Sequence, residues 1–173
     1  MRRVLLLSLL VAGCVPPPSR EPPPLPPRPA PPPPPRPAPP PPRAVDWRDW
    51  PQTPGTWRYE RDARGTRALF GTPGTDARAV LRCDRGERRV FLSVSGSNTA
   101  PLAVRTTSTA RSLPVSPTGG TPPYVAVSLS PTDPLLDAMA FSRGRFALDQ
   151  AGAPPLALPA WAEVGRVIED CRG

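Results

Sequence analysis

The chain has 173 residues, 32 of them Pro, and carries 22 Arg and 14 acids with neither Lys nor His, for a net charge of +8. Without His or Lys, the Ser-His-Asp, Cys-His and Ser-Lys arrangements cannot be assembled, and zinc loses its usual imidazole ligands. Sixteen of the 22 Arg and thirteen of the 14 acids fall in residues 44–173, so that part is only about +3 and lacks the basic bias with which nucleic-acid surfaces neutralise phosphates.

Arg2 and Arg3 precede an apolar run over residues 4–11, and the small residues Ala12 and Gly13 follow. This is the order of a secretory leader, predicted over residues 1–13. With Ala12 and Gly13 the stretch is about ten residues long against the roughly 20 that a membrane-crossing helix needs. Val11-Ala12-Gly13-Cys14 resembles the lipobox of bacterial lipoproteins, a likeness confined to these four residues and the leader before them. It implies diacylglycerol on the Cys14 thiol, cleavage before Cys14, and a protein held in the cell envelope by its lipid. Val15 stands where an Asp would imply inner-membrane retention, so the resemblance implies the outer membrane, facing the periplasm. The alternative is an ordinary secretory leader cut elsewhere, with Cys14 incidental.

The segment 14–43 is predicted as the lipidated Cys followed by a disordered stalk. Residues 15–43 are about two-thirds Pro, and Pro has a fixed φ and no N–H, which excludes helix and ladder pairing. A polyproline II stretch of this length reaches on the order of 90 Å at roughly 3.1 Å per residue. Arg20, Arg28, Arg36 and Arg43 recur every seven or eight residues. They are read as keeping a proline tract soluble, with a basic ruler against anionic polymer or lipid, such as the cell wall, as the alternative.

Residues 44–173 suit one domain. Residues 55–60 alternate aromatic with polar, residues 61–65 hold a turn, and residues 66–70 form a partner strand, so a hairpin is predicted. A second hairpin is predicted from residues 79–83 and 89–94, turning at Asp84-Arg85-Gly86. Residues 102–107 and 124–129 are further strands, with residues 116–123 as a loop between them. An antiparallel meander is therefore expected over the first two-thirds of the domain.

The period then changes. Asp133 can cap a helix that has Pro134 at its first position and Leu135, Leu136, Met139 and Ala140 on its apolar face, with Gly144 as the stop. Residues 146–148 and 156–158 read as short strands. A last helix is predicted over residues 159–170, with Trp161, Val164, Ile168 and Cys171 on one face. The fold class is thus α+β: a small antiparallel, sheet-rich domain with two short helices in its C-terminal third.

In an exported domain Cys83 and Cys171 are expected to form a disulfide tying the last helix to the sheet. Paired carboxylates remain as a catalytic option, from Asp133, Asp137, Asp149, Glu163, Glu169 and Asp170. Glu163 with Arg166, and Arg166 with Asp170, have the spacing of ordinary helix surface pairs, and solvation explains these acids better than catalysis. Ser95-Gly96-Ser97-Asn98 has no base to activate a serine and reads as a turn. For binding, the candidates are Trp47, Trp50 and Trp57 with Arg58, able to stack on a sugar or hold a peptide, or else to pack where the stalk enters. Leu81-Arg82-Cys83-Asp84 followed by a strand is similar to the opening of small periplasmic lysozyme-inhibitor lipoproteins. That likeness implies hydrolase inhibition but carries over no site residue. The expected function is a non-catalytic binding or structural module of the envelope, without cofactor or metal. Its expected partners are the membrane, through the lipid, and the cell wall or an envelope protein, but not nucleic acid. A hydrolase inhibitor and a carboxylate-dependent cell-wall glycosidase are the alternatives.

Overall fold

A computed structural model describes residues 46–173. The leader, Cys14 and the proline-rich stalk lie outside the described residues. A 3-10 turn at Trp47–Asp49 is followed by β1 (Thr56–Asp62), β2 (Gly65–Gly71), β3 (Ala79–Asp84), β4 (Arg89–Ser95), β5 (Leu102–Arg105), β6 (Ala110–Leu113), β7 (Ser116–Pro117) and β8 (Tyr124–Leu129). Helix α1 (Pro134–Ala140), β9 (Arg145–Gln150), β10 (Leu156–Pro159) and helix α2 (Ala162–Arg172) complete the chain.

The strands form two antiparallel sheets, one of order β1-β2-β3-β4-β8-β7 and one of order β10-β9-β5-β6. The fold is α+β, and consecutive neighbours form a meander only from β1 to β4. After β4 the chain leaves for the second sheet, builds β5 and β6 there, and returns through β7 and β8. The expected single meander is corrected accordingly: local alternation shows which face of a strand is buried, not which sheet receives it.

Register explains why the inner face of the six-stranded sheet is apolar. Trp57, Phe70, Ala79, Val94 and Val125 are successive cross-strand partners, as are Ala68, Leu81, Leu92 and Val127. Leu102, Val104, Phe146, Leu148, Leu156 and Leu158 from the other sheet join the same core. Phe70 and Phe146 are completely buried, and each contributes about 1.5–3 kcal/mol relative to an exposed position. Trp57 packs its ring 5.2 Å from Phe70, and its indole N–H donates to the Pro159 carbonyl at 2.8 Å.

The helices pack as their sequences dictate. Asp133 accepts from the Leu135 N–H at 2.9 Å as the α1 cap, and Leu135, Leu136 and Met139 are buried. In α2 the buried residues are Val164, Val167 and Ile168. Trp161, expected on that face, is 43% exposed: it precedes the first helical residue as the cap, where the helical period does not yet apply. Cys171 bonds to Cys83, with the two Cα atoms 5.3 Å apart, and so staples α2 to β3.

Gly65 opens β2 at φ +149°, and the Cys83 carbonyl oxygen lies where its Cβ would stand. Only glycine fits this turn.

Candidate functional site

The outer face of the six-stranded sheet departs from the usual polar pattern. The cross-strand row Arg58, Leu69, Val80, Ser93, Ala126 and Ser116 runs the full width of this face. Beside it run Glu60, Arg67, Arg82, Phe91 and Ser128. Leu69, Val80, Phe91 and Ala126 are half-buried, so apolar side chains occupy outward positions in four consecutive strands of the sheet.

A groove of about 920 Å³ lies over this floor. Val80, Phe91, Ser93, Ala126 and Ser128 form its base, and the crossing from β6 into β7, with Leu113, Pro114 and Pro117, forms one wall. Arg64, Arg82, Glu87 and Arg89 stand towards one end, and Arg111 with Asp133 also lines it. Tyr124 borders it and donates its hydroxyl to the Ala77 carbonyl at 2.6 Å; burial pushes that phenol above its ordinary value.

Most charges at the groove are internally satisfied. Arg82 grips both Asp62 oxygens at 3.2 and 2.5 Å, and this contact holds the Asp62 carboxyl well below its usual range. Asp84 accepts from the Glu87 N–H at 3.0 Å and from Arg64 Nε at 2.7 Å, and these bonds, in that order, keep its carboxyl low. At Asp133 burial opposes ionisation, but the hydrogen bonds from Arg111 and the Leu135 N–H outweigh it and leave the carboxyl below its ordinary value. Arg111 lies 2.5 Å from Asp133. Arg89, exposed at the groove, has no side-chain partner among the described residues.

The residues anticipated as a binding cluster are placed elsewhere, apart from Arg58. Trp57 belongs to the main core, while Trp47 and Trp50 pack on Ala147 and Ala157 on the outer side of the smaller sheet. All three indoles are less than a tenth exposed. Of the two readings of these residues, binding surface or packing, the three indoles follow packing, and adjacent Trp and Arg in sequence are divided between core and exterior. Arg58 is exposed on the same sheet face as the groove floor.

Asp137, Glu169, Asp149 and Asp170 are engaged by cations or a phenol, and Asp137 and Glu169 share one guanidinium. Asp137 lies 2.8 Å from Arg172 and Glu169 3.0 Å from the same guanidinium; Asp149 lies 3.9 Å from Arg105. Asp170 accepts from the Tyr59 hydroxyl at 2.6 Å. Arg166, expected to pair along its helix, instead stacks over the Tyr59 ring at 4.1 Å.

The groove itself was not anticipated from the sequence. Its available signal was Val80 and Phe91, apolar residues at the outward positions of strands whose inward positions were already apolar. No family model, curated protein or solved structure matches the chain.

Proposed function

We propose that this chain is a lipid-anchored binding module of the bacterial cell envelope, acting without catalysis and receiving an extended acidic peptide segment of an envelope protein in the groove. The observation that carries the binding reading is an apolar floor running through neighbouring strands beside one unpaired cation. Its volume lies within the roughly 300–1,000 Å³ of small-ligand sites. Val80 and Phe91 can take alternate apolar side chains of an extended segment, the serines can meet its backbone, and Arg89 can pair with a carboxylate. Asp62, Asp84 and Asp133 are all held towards the ionised form, which suits structural pairing better than a general acid, whose carboxyl must be raised. The anchor reading is supported by the lipobox-like Val11-Ala12-Gly13-Cys14 and by the proline-rich segment after it.

Two measurements test this reading. Intact mass spectrometry of the membrane-extracted chain should give residues 14–173 plus lipid; an unlipidated mass removes the anchor. A photo-crosslinking residue at Ser93, on the groove floor, should give a discrete protein adduct in cells that Arg89→Glu abolishes. The same probe at exposed Thr72, in the β2–β3 turn, should give none. Equal labelling at both positions, or labelling indifferent to Arg89, refutes the groove as the site.

A second reading, inhibition of an envelope hydrolase by an inserted loop, draws support from residues 118–123. These are exposed without a break between β7 and β8, at a hairpin closed by the Thr118 N–H donating to the Tyr124 carbonyl at 2.9 Å. Its test is muramidase inhibition by the intact chain, which deletion of residues 119–121 should remove.

A further inference from the structure

The two large hydrophobic side chains that the described domain leaves open are Phe141, 80% exposed, and Trp161, 43% exposed. They project from neighbouring backbone. Phe141 directly follows Ala140, whose side chain faces Gly165 of α2. Trp161 directly follows Ala160, whose N–H donates to the Gly144 carbonyl at 3.2 Å.

Cations gather beside Phe141. A hollow of about 730 Å³ beside Phe141 is lined by Arg48, Arg143 and Arg145 and by no acid. Arg48 lies over the Trp47 ring and 3.4 Å from Asp46. Arg145 donates to the Trp50 carbonyl at 2.9 Å, which fixes its position without neutralising it. The Arg143 guanidinium has no partner among the described residues; only its backbone N–H is engaged, by Thr107.

The place where the chain enters the domain is the third observation. Trp47 and Arg48 line this same hollow and belong to the first described element, so the described chain begins at this corner.

We propose that this corner docks on an anionic lipid surface. Phe141 and Trp161 enter the headgroup boundary, where aromatic rings partition favourably, and Arg143, supported by Arg145 and Arg48, meets lipid phosphates. Exposed aromatics alone would suit many partners; an open Phe141 beside three arginines, one of them without a partner, favours an anionic lipid surface. The inference goes beyond the groove and does not require its occupancy. It rests on the anchor reading only for which membrane the corner meets.

The test is flotation of the chain from residue 14 onward, carrying Cys14→Ser so that no acyl group contributes. Vesicles are phosphatidylcholine alone, or phosphatidylcholine with phosphatidylglycerol. The chain should float with the anionic vesicles only, with a blue shift in Trp emission from Trp161, since the other three indoles are already buried. Phe141→Ser with Trp161→Ser should lower the bound fraction about tenfold and abolish the blue shift, with a cooperative melting transition recorded alongside to show that the fold is kept. Arg143→Gln should lower binding about fivefold, the effect expected of one charge near such a surface. If the parent does not float with anionic vesicles, the proposal fails. It fails equally if the double variant floats as well as the parent, since the stalk arginines then account for the binding. Neither failure bears on lipidation, which the mass of the extracted chain reports separately.

Discussion

Reducing the Cys83–Cys171 bond should remove a large fraction of the domain's stability while leaving its fold in place at low denaturant. The bond closes a loop with a sequence separation of 88, and a cross-link of that span withdraws loop-closure entropy from the unfolded chain equivalent to about 4.5 kcal/mol at 25 °C. Native disulfides typically contribute about 2–4 kcal/mol, so a loss of about 3–4 kcal/mol is expected. For a domain whose urea m-value lies at roughly 2 kcal/mol/M, the midpoint should fall by about 1.5–2 M. The assay is urea unfolding followed by Trp fluorescence, with and without a phosphine reductant, using the wild-type chain so that the buried Cys83 side chain keeps its volume. An unchanged midpoint with fully reduced thiols would refute the reasoning. A midpoint change accompanied by a large fall in m would show that reduction alters the compactness of the native or denatured state, and would refute it differently.

Three further outcomes follow from the packing and charge described above. The carboxyls of Asp62, Asp84 and Asp133 all lie below their ordinary 3.8 in the folded chain, so the stability they contribute is present above that value and is lost as pH falls through their folded values; the urea midpoint should be nearly flat from pH 7 to about 5 and decline below about 4, and Asp133→Asn should make the decline shallower. A midpoint rising on acidification would contradict the sign. Trp57→Phe leaves the Pro159 carbonyl without its indole donor and should cost about 1–3 kcal/mol, read by the same unfolding curve; a neutral effect would mean that the bond contributes nothing net. Gly65→Ala, which sets a methyl against the Cys83 carbonyl at a positive φ, should destabilise by more than about 1 kcal/mol and lower the melting temperature, whereas Gly74→Ala, in open space at φ +81°, should cost less.

Much of the secondary structure was legible because the alternation was strong. β3, β4 and β8 lie where period-two patterning placed them, and α1 starts at the Asp133-Pro134 signal. β6 was missed because in Ala110-Arg111-Ser112-Leu113 only Leu113 is buried, and β7 because Ser116–Pro117 is a short edge pairing inside a loop composition. In β9 and β10, Phe146, Leu148, Leu156 and Leu158 face the core while Ala147 and Ala157 are covered from the other side by Trp47 and Trp50. A local pattern cannot reveal that a distant Trp covers the second face. The same blindness made these indoles resemble a binding surface, and it hid the groove, whose wall exists only because β6 and β7 belong to different sheets.

That covering also determines where a pull on the chain would be felt. Besides the two indoles, Thr53 exchanges hydrogen bonds with Ala157, its N–H donating to the Ala157 carbonyl and its hydroxyl accepting from the Ala157 N–H, both at 2.9 Å. Tension applied ahead of Asp46 therefore reaches the segment between Trp47 and Thr53 first, before any strand of the large sheet. This segment covers the β10 edge and the alanine surface, which its displacement would uncover. Were the chain held by its N-terminal side as proposed, the β10 edge would be the first strand edge that tension uncovers.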